Sequence, residues 1–360
     1  MPLRFIFRRL ARPVLGLAVA LAGAAPTTAQ FPATTPAWVG QPSFPAYLQL
    51  LAARARAEGV SDTTITTAIA GLTFNQRVID LDRAQPGGLP TAAPSGSFEP
   101  FEPYRRTHVD AARIAGGRRQ YAAIAGRAAG LEQRYGVPVP VLLAIFGHES
   151  NYGSYTGDFD LARSLASLAY EGRRRELFAQ EFIALLKMID RGVPRYRLKG
   201  SWAGAFGNPQ FLPSVYLRVA ADGDGDGVAD IWNSEADTLA SIGNYFRDAG
   251  WRRGEPWGVA VSVPAGLDRG GLAARVTSPR CPRVHARHTA WKTMAEWRAL
   301  GIVPRSGGWP RDTMLATLIE PDGPGKTAYL LTGNYRVILD YNCSNYYALS
   351  VGLLADAIAS

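Results

Sequence analysis

Read for its apolar and polar positions, the chain divides into a long helical part and a shorter stretch of different texture. Residues 46–58 carry Leu48, Leu50, Leu51 and Ala55 at helical spacing, with Gly59 to close the turn. Ser61 caps a second predicted helix through Ile65, Ala68, Ile69 and Leu72. From about residue 107 to 134, Ile114, Tyr121, Ile124 and Leu131 recur among alanines and arginines, which predicts one or two amphipathic helices. Residues 141–153 read as a helix apolar on most sides and hence buried; prolines 138 and 140 set up its start, and Ser150, Asn151 and Gly153 stop it. Further helices are expected over 160–169, 173–189, a short segment ending near Ala220, 236–249 and 346–359. Between 251 and 341 the texture changes. Runs 257–263, 314–319, 328–331 and 337–341 are rich in branched and aromatic residues, are separated by Gly and Pro, and read as antiparallel strands, with 290–300 more helical. The expected class is α+β, mainly α: a helical domain over 44–250 and 342–360 with a small antiparallel β-rich subdomain over 251–341. Residues 30–43 and 85–103 gather Pro, Thr, Gly and Ser and read as a flexible lead-in and a surface connection.

Residues 1–29 change the picture of where the protein works. Arg4, Arg8, Arg9 and Arg12 precede the apolar run 14–25, and Thr27-Thr-Ala29 is a small-residue cleavage site, so an export signal removed near Ala29 is expected. No later run approaches the ~20 apolar residues of a membrane span. A soluble periplasmic protein follows as the expectation. Removing the four signal arginines from the net charge of +9 leaves +5, a mild excess that suits an acidic polymer and does not call for nucleic acid. Cys281 and Cys343 are the only cysteines, and in an oxidising compartment they are expected to pair.

Within this frame a few positions carry chemistry. Glu149 lies four residues after Ile145 and eight after Val141, so it shares their face and points to the interior. A carboxylate there must find a partner or hold its proton, and a raised pKa is what a general acid needs near neutral pH. A structural glutamate capping a neighbouring backbone is the alternative. Arg173, Arg174 and Arg175 sit at a helix start, where the dipole disfavours cations; they form either a solvated basic turn or a grip on ligand carboxylates. The segment 201–214 interleaves small residues with Trp202, Phe206 and Phe211, as backbone packed against something large and flat would, with Gln210 its polar probe. Asp222, Asp224, Asp226 and Gly227, with the carbonyl of Val228, match the first half of a calcium loop, and Asp230 matches its ninth position. Asn233 stands where a sensor loop has its bidentate Glu, which leaves Asp237 as the nearest free acid to close the site.

Taken in order, Gly147-His-Glu-Ser-Asn-Tyr-Gly153, Ser201-Trp-Ala-Gly-Ala205, Gly207-Asn-Pro-Gln-Phe-Leu-Pro-Ser214, the aspartate loop and Asp237-Thr-Leu-Ala-Ser-Ile-Gly-Asn-Tyr-Phe246 resemble the soluble and membrane-bound lytic transglycosylase B family, from about residue 45 to the C-terminus. The resemblance implies a lysozyme-like helical domain and cleavage of the β-1,4 bond between N-acetylmuramic acid and N-acetylglucosamine in peptidoglycan, leaving 1,6-anhydromuramoyl ends. It implies Glu149 as the single acid/base. Ser201, Gln210, Arg173, Arg174, Phe211, Tyr245, Tyr341, Asn342 and Tyr347 would line the groove, the aromatics stacking on sugars and the arginines meeting peptide carboxylates. Asp222, Asp224, Asp226, Val228 and Asp237 would hold a structural calcium ion. Glycan strands are the implied partner, with wall-remodelling proteins beside them. Two other classes stay open. A hydrolase would need a second carboxylate ~5–9.5 Å from Glu149, for which Asp158 and Asp160 are nearest in sequence; a wall-binding protein without catalysis would use the same groove.

Overall fold

The computed structural model of the protein describes residues 42–85, 100–171, 173–274, 278 and 281–360. The expected signal, the lead-in as far as residue 41 and most of the 85–103 connection lie outside the described residues. Ser43 opens the first helix, α1 (Phe44–Ala57), by accepting a hydrogen bond from the Ala46 amide, and Ser61 caps α2 (Asp62–Ile69) through the Thr64 amide at 3.2 Å. After α3 (Gln76–Arg83) the chain resumes with α4 (Phe101–His108), α5 (Ala111–Ala123), α6 (Ala125–Tyr135) and α7 (Val139–Ser150). Strand β1 (Phe159–Asp160) leads into α8 (Leu161–Glu171) and α9 (Arg175–Asp190). Strand β2 (Lys199–Gly200) then returns to pair antiparallel with β1, Phe159 opposite Gly200. Helices α10 (Pro213–Val219) and α11 (Glu235–Asp248) flank the aspartate loop.

The β-rich stretch holds β3 (Gly258–Ser262), α12 (Pro282–His285), β4 (Lys292–Thr293), α13 (Met294–Ala299), β5 (Val303–Pro304), β6 (Leu315–Ile319) and β7 (Ala328–Leu331). Its strands form an antiparallel sheet in the order β4-β6-β7-β3-β5, with Leu318 opposite Leu330 and Val259 opposite Leu330 on its other side. Alternation divides the faces: Leu318, Leu330, Ala316 and Val261 pack on Met294 and Trp297, while Ile319, Tyr329 and Leu331 turn to the helical body. Helices α14 (Gly333–Tyr341) and α15 (Asn345–Ala359) complete the chain.

One expectation is overturned here. Residues 337–341 form the end of α14, not a strand, because Thr332 caps a helix through the Asn334 amide at 3.2 Å and Tyr335, Ile338 and Leu339 then fall on one buried helical face. The density of branched residues suggested extended chain; the cap and the i, i+3, i+4 spacing decide otherwise. The β-rich stretch therefore gives way to helix at Gly333.

Two apolar cores lie in the helical part. One gathers α7, α11, α14 and α15, and the other gathers α1, α2, α3, α8 and α9 with Phe206, Phe211 and Ile231. Tyr341 packs against both. The ring thus marks a junction, and the candidate residues collect there. Cys281 and Cys343 are disulfide-bonded across 62 residues, with their Cα atoms 5.7 Å apart, which ties the β-rich stretch to the α14–α15 connection.

Candidate active site

Helix α7 is buried at every position from Val139 to His148, and Glu149 is where it first reaches solvent. Its start is fixed by Pro138 and Pro140 and by Glu132, whose carboxylate accepts from the Val139 amide at 2.8 Å. Its end is turned sharply by Asn151 and Tyr152, both in the left-handed region at φ 48° and 57°. The Tyr152 ring then folds back over Gly147, where a Cβ would come within 2.6 Å of it, and its hydroxyl donates to the Arg113 carbonyl at 2.8 Å. These contacts hold the last turn of α7, and with it Glu149, in one place.

Burial pushes the Glu149 carboxyl up to about 8, against the opposing effect of one hydrogen bond. That bond comes from Tyr347, whose hydroxyl donates to Glu149 Oε1 at 2.6 Å. Tyr347 is 2 % exposed, and its backbone amide is capped by Ser344 at the start of α15. Tyr341 and Tyr104 also lie close enough for the charge on Glu149 to raise their phenols, after burial, which alone is the larger cause; Tyr104 reaches about 12. His148 beside the acid is lowered to about 3 by burial and is therefore neutral. The result is an acid that holds its proton more tightly than an ordinary carboxyl, with Tyr347, Tyr341 and Tyr104 close by.

The second wall is the 201–214 segment. Ser201 Oγ accepts from the Ala205 amide at 3.0 Å, closing a tight turn. Gln210 has φ 52°, and its Nε2 donates to the carbonyls of Gly207 at 2.8 Å and Thr156 at 3.1 Å, which ties this segment to the loop that follows Glu149. Tyr341 donates its hydroxyl to the Pro209 carbonyl at 2.5 Å. Tyr245 stands 4.7 Å from Tyr341 between ring centroids and donates to the Asp340 carbonyl. Asn342 is 3 % exposed, and its Oδ1 has no hydrogen-bond partner among the described residues.

Three expected roles meet a different geometry. Tyr347 is 2 % exposed and engaged with Glu149, so it offers no face to a sugar. Phe211 is 2 % exposed, with its ring packed on Tyr245 and Tyr341, so it braces those tyrosines and offers no face to a sugar. Arg173 and Arg174 are both spent on Asp82, itself 1 % exposed in α3: Arg173 Nε donates to its Oδ2 at 2.7 Å, and Arg174 reaches its Oδ1. A buried carboxylate that needs cations explains two of the three arginines at this helix start; Arg175 instead lies over the Tyr47 ring, 5.2 Å from its centre. Asp160 pairs with Arg195 at 2.6 Å and caps α8 through the Arg163 amide, while Asp158 is exposed. Sequence reasoning passed over Tyr104, since the Pro- and Gly-rich residues just before it read as a surface connection; its pairing with His108 at i, i+4, rings stacked 3.7 Å apart, was the available signal.

In the aspartate loop, carboxylate oxygens of Asp222, Asp224 and Asp237 lie within 4.8 Å of one another. Asp237 is fully buried in α11 and its two oxygens accept from the amides of Gly223 and Asp230, each at 2.7 Å. Three hard oxygen donors converge, with no cationic side chain paired to them among the described residues, which fits a calcium ion. Asp226 is exposed and accepts from the Val228 amide, and Asp230 is taken by Arg197 at 3.0 Å.

Residues 43–356 match the family model described as the transglycosylase SLT domain. Membrane-bound lytic murein transglycosylase B of Escherichia coli K12 is 32% identical over 234 residues, 63% of this chain; the match spans 58% of that relative's length. Among solved structures, SltB3 from Pseudomonas aeruginosa in complex with NAG-anhNAM-pentapeptide superposes with a TM-score of 0.77 at 38% identity, covering 89% of this chain and 80% of that one. The Escherichia coli lytic transglycosylase Slt35 in complex with calcium gives 0.69 at 25% identity, covering 87% and 92%.

Proposed function

We propose that this chain, which belongs to the transglycosylase SLT family, cleaves the β-1,4 bond between N-acetylmuramic acid and N-acetylglucosamine without consuming water, using Glu149 as its single acid/base. The observation that carries the reading is the Glu149 carboxyl held at the end of the buried α7 with the Tyr347 hydroxyl donating to it, where burial favours its protonated form. Glu149 donates that proton to the glycosidic oxygen as the C1–O bond breaks. The carbonyl oxygen of the muramoyl N-acetyl group then bonds to C1. The Glu149 carboxylate, held by Tyr347, next takes the proton from the C6 hydroxyl, O6 displaces the acetamido oxygen at C1, and the 1,6-anhydro ring closes with Glu149 again protonated. One group can serve as acid and then base because the substrate supplies both nucleophiles; a water or enzyme nucleophile would call for a second carboxylate. Asp160 is engaged by Arg195 and Asp158 faces solvent, which favours the one-carboxylate course.

Ser201, Gln210, Tyr245, Tyr341 and Asn342 line the groove in this reading, and the unpaired Oδ1 of Asn342 accepts a sugar N–H or O–H. Calcium held by Asp222, Asp224 and Asp237, with Asp226 and the Val228 carbonyl completing the shell, braces the loop and takes no part in the chemistry. The working place is the periplasm, reached through the signal at 1–29; among the described residues no helix is long and apolar enough to cross a membrane. Wall-remodelling proteins are the further partners. Mass analysis of muropeptides released from purified peptidoglycan tests the central claim, because anhydro ends are one water lighter than reducing ends. Reducing ends as the main product, with inactivation by Asp158→Asn or Asp160→Asn, would overturn it.

A further inference from the structure

A second cavity, of about 570 Å³, opens where the β-sheet meets the helical body, lined by Trp257, Tyr329, Trp309, Ser306, Leu353 and Asp356 among others. Tyr347 and Asp356 are nine residues apart on α15, which puts this cavity about 13 Å along the helix from the Glu149 contact. It is a separate place from the groove described above. Tyr329 and Leu353 also line a neighbouring cavity of about 580 Å³ bounded by Phe101, and the trough between sheet and helices is the first of the two.

We infer that this trough is a second saccharide-binding site, which takes a stretch of glycan strand away from the bond being cleaved. Its charged lining residues are Arg253, Arg311, Glu255 and Asp356, two of each sign. Arg311 pairs with Glu255, and Arg253 is held by hydrogen bonds to the carbonyls of Glu132 and Gln133. What remains is a neutral, aromatic and hydroxyl-accepting lining. The half-buried Trp309 is steadied by Arg298, 5.1 Å from its ring centre, and an indole is the side chain on which the C–H face of a pyranose packs. Asp356 accepts one N–H, from Trp257 Nε1 at 3.2 Å to each oxygen, and keeps further lone pairs for sugar hydroxyls; Ser306 adds a donor and acceptor. Sites at the seam between two structural units, apolar with a few placed polar groups, are where small ligands usually bind. The choice of glycan as ligand rests on the proposed murein activity. The trough would keep the enzyme on a neighbouring strand while Glu149 works.

The test uses Glu149→Gln protein, which leaves an added oligomer uncut, titrated with the tetramer of N-acetylglucosamine while the indole N–H resonance of Trp309 is followed by NMR. That resonance is expected to shift and saturate, and the shift is expected to vanish in Ser306→Phe, which fills the cavity from an exposed position and leaves the core untouched. In Glu149-intact protein, Trp309→Ala and Ser306→Phe should each weaken retention on insoluble sacculi at least 5-fold while turnover of a short soluble muropeptide stays unchanged. No shift at Trp309, or unchanged retention in both variants, overturns the inference. Retention lost in the filled variant with no oligomer binding at Trp309 would assign the trough to a polypeptide and overturn it equally. The soluble muropeptide assay reports separately on the murein reading, so its failure is recognised whatever Trp309 does.

Discussion

At Glu149 the physical requirement of the chemistry and that of the fold pull in opposite directions. A carboxyl raised to about 8 is more easily ionised in the unfolded chain, where it titrates near 4.5, so the fold is favoured by a protonated Glu149 and loses that contribution as pH rises from about 4.5 to about 8. Glu149→Gln should therefore raise the melting temperature, by little at pH 4 and by an amount that grows to pH 8, while turnover falls at least ~10²-fold. A differential scanning calorimetry series over pH checks the first part, and muropeptide release checks the second. Tyr347→Phe removes the one donor that favours the ionised acid. Such a bond to a charged group is worth about 1.5–3 kcal/mol, so the alkaline limb of kcat/KM should move up by about one pH unit or more. An unchanged limb would separate Tyr347 from the proton on Glu149. The burial of Glu149 was legible in sequence because it depends on neighbours at i−4 and i−8. Tyr347 as its donor was not: that bond spans 198 positions, and only tertiary packing creates it.

Helices and their ends account for most of what could be read from sequence at the next scale. Ser61, Thr332 and Ser344 each cap a helix through the local backbone, and signals of this range are carried in the sequence itself. Where the competing signals were local and equal, as in 337–341, branched residues pointed one way and the cap the other. Long-range partners decided the rest. Arg173 and Arg174, just before α9, could not be assigned without α3, since Asp82 lies 91 positions from Arg173. Asp82→Ala should leave Arg173 and Arg174 without their shared acceptor and destabilise the fold by about 3 kcal/mol by cutting the tie between α3 and the turn before α9, the low end for a broken buried pair because both arginines reach water. Urea denaturation of the variant measures this directly; a change under ~0.5 kcal/mol would mean the cluster is dispensable.

Two ties outside the cores bear on the whole molecule, a proposed calcium ion and a disulfide. Calcium at Asp222, Asp224 and Asp237 would join the loop before α11 to that helix, and a ligand present at 100 times its dissociation constant adds about 2.7 kcal/mol. A chelator should lower the melting temperature of the protein, and Asp224→Ala should remove the dependence on calcium; equal curves for both proteins with and without chelator would leave an acidic turn alone. The disulfide is the other tie. Closing a loop of 62 residues is worth about 4 kcal/mol in the chain-entropy model, which reductant titration against unfolding can measure. Its position matters as much as its strength. Cys343 precedes the capping Ser344 by one residue and Tyr347 by four, so the bond anchors the turn from which the catalytic donor projects. If the chain is exported and acts as proposed, a copy still in a thiol-rich compartment would lack this bond, and the turn that carries the donor to Glu149 would gain its covalent anchor only on leaving.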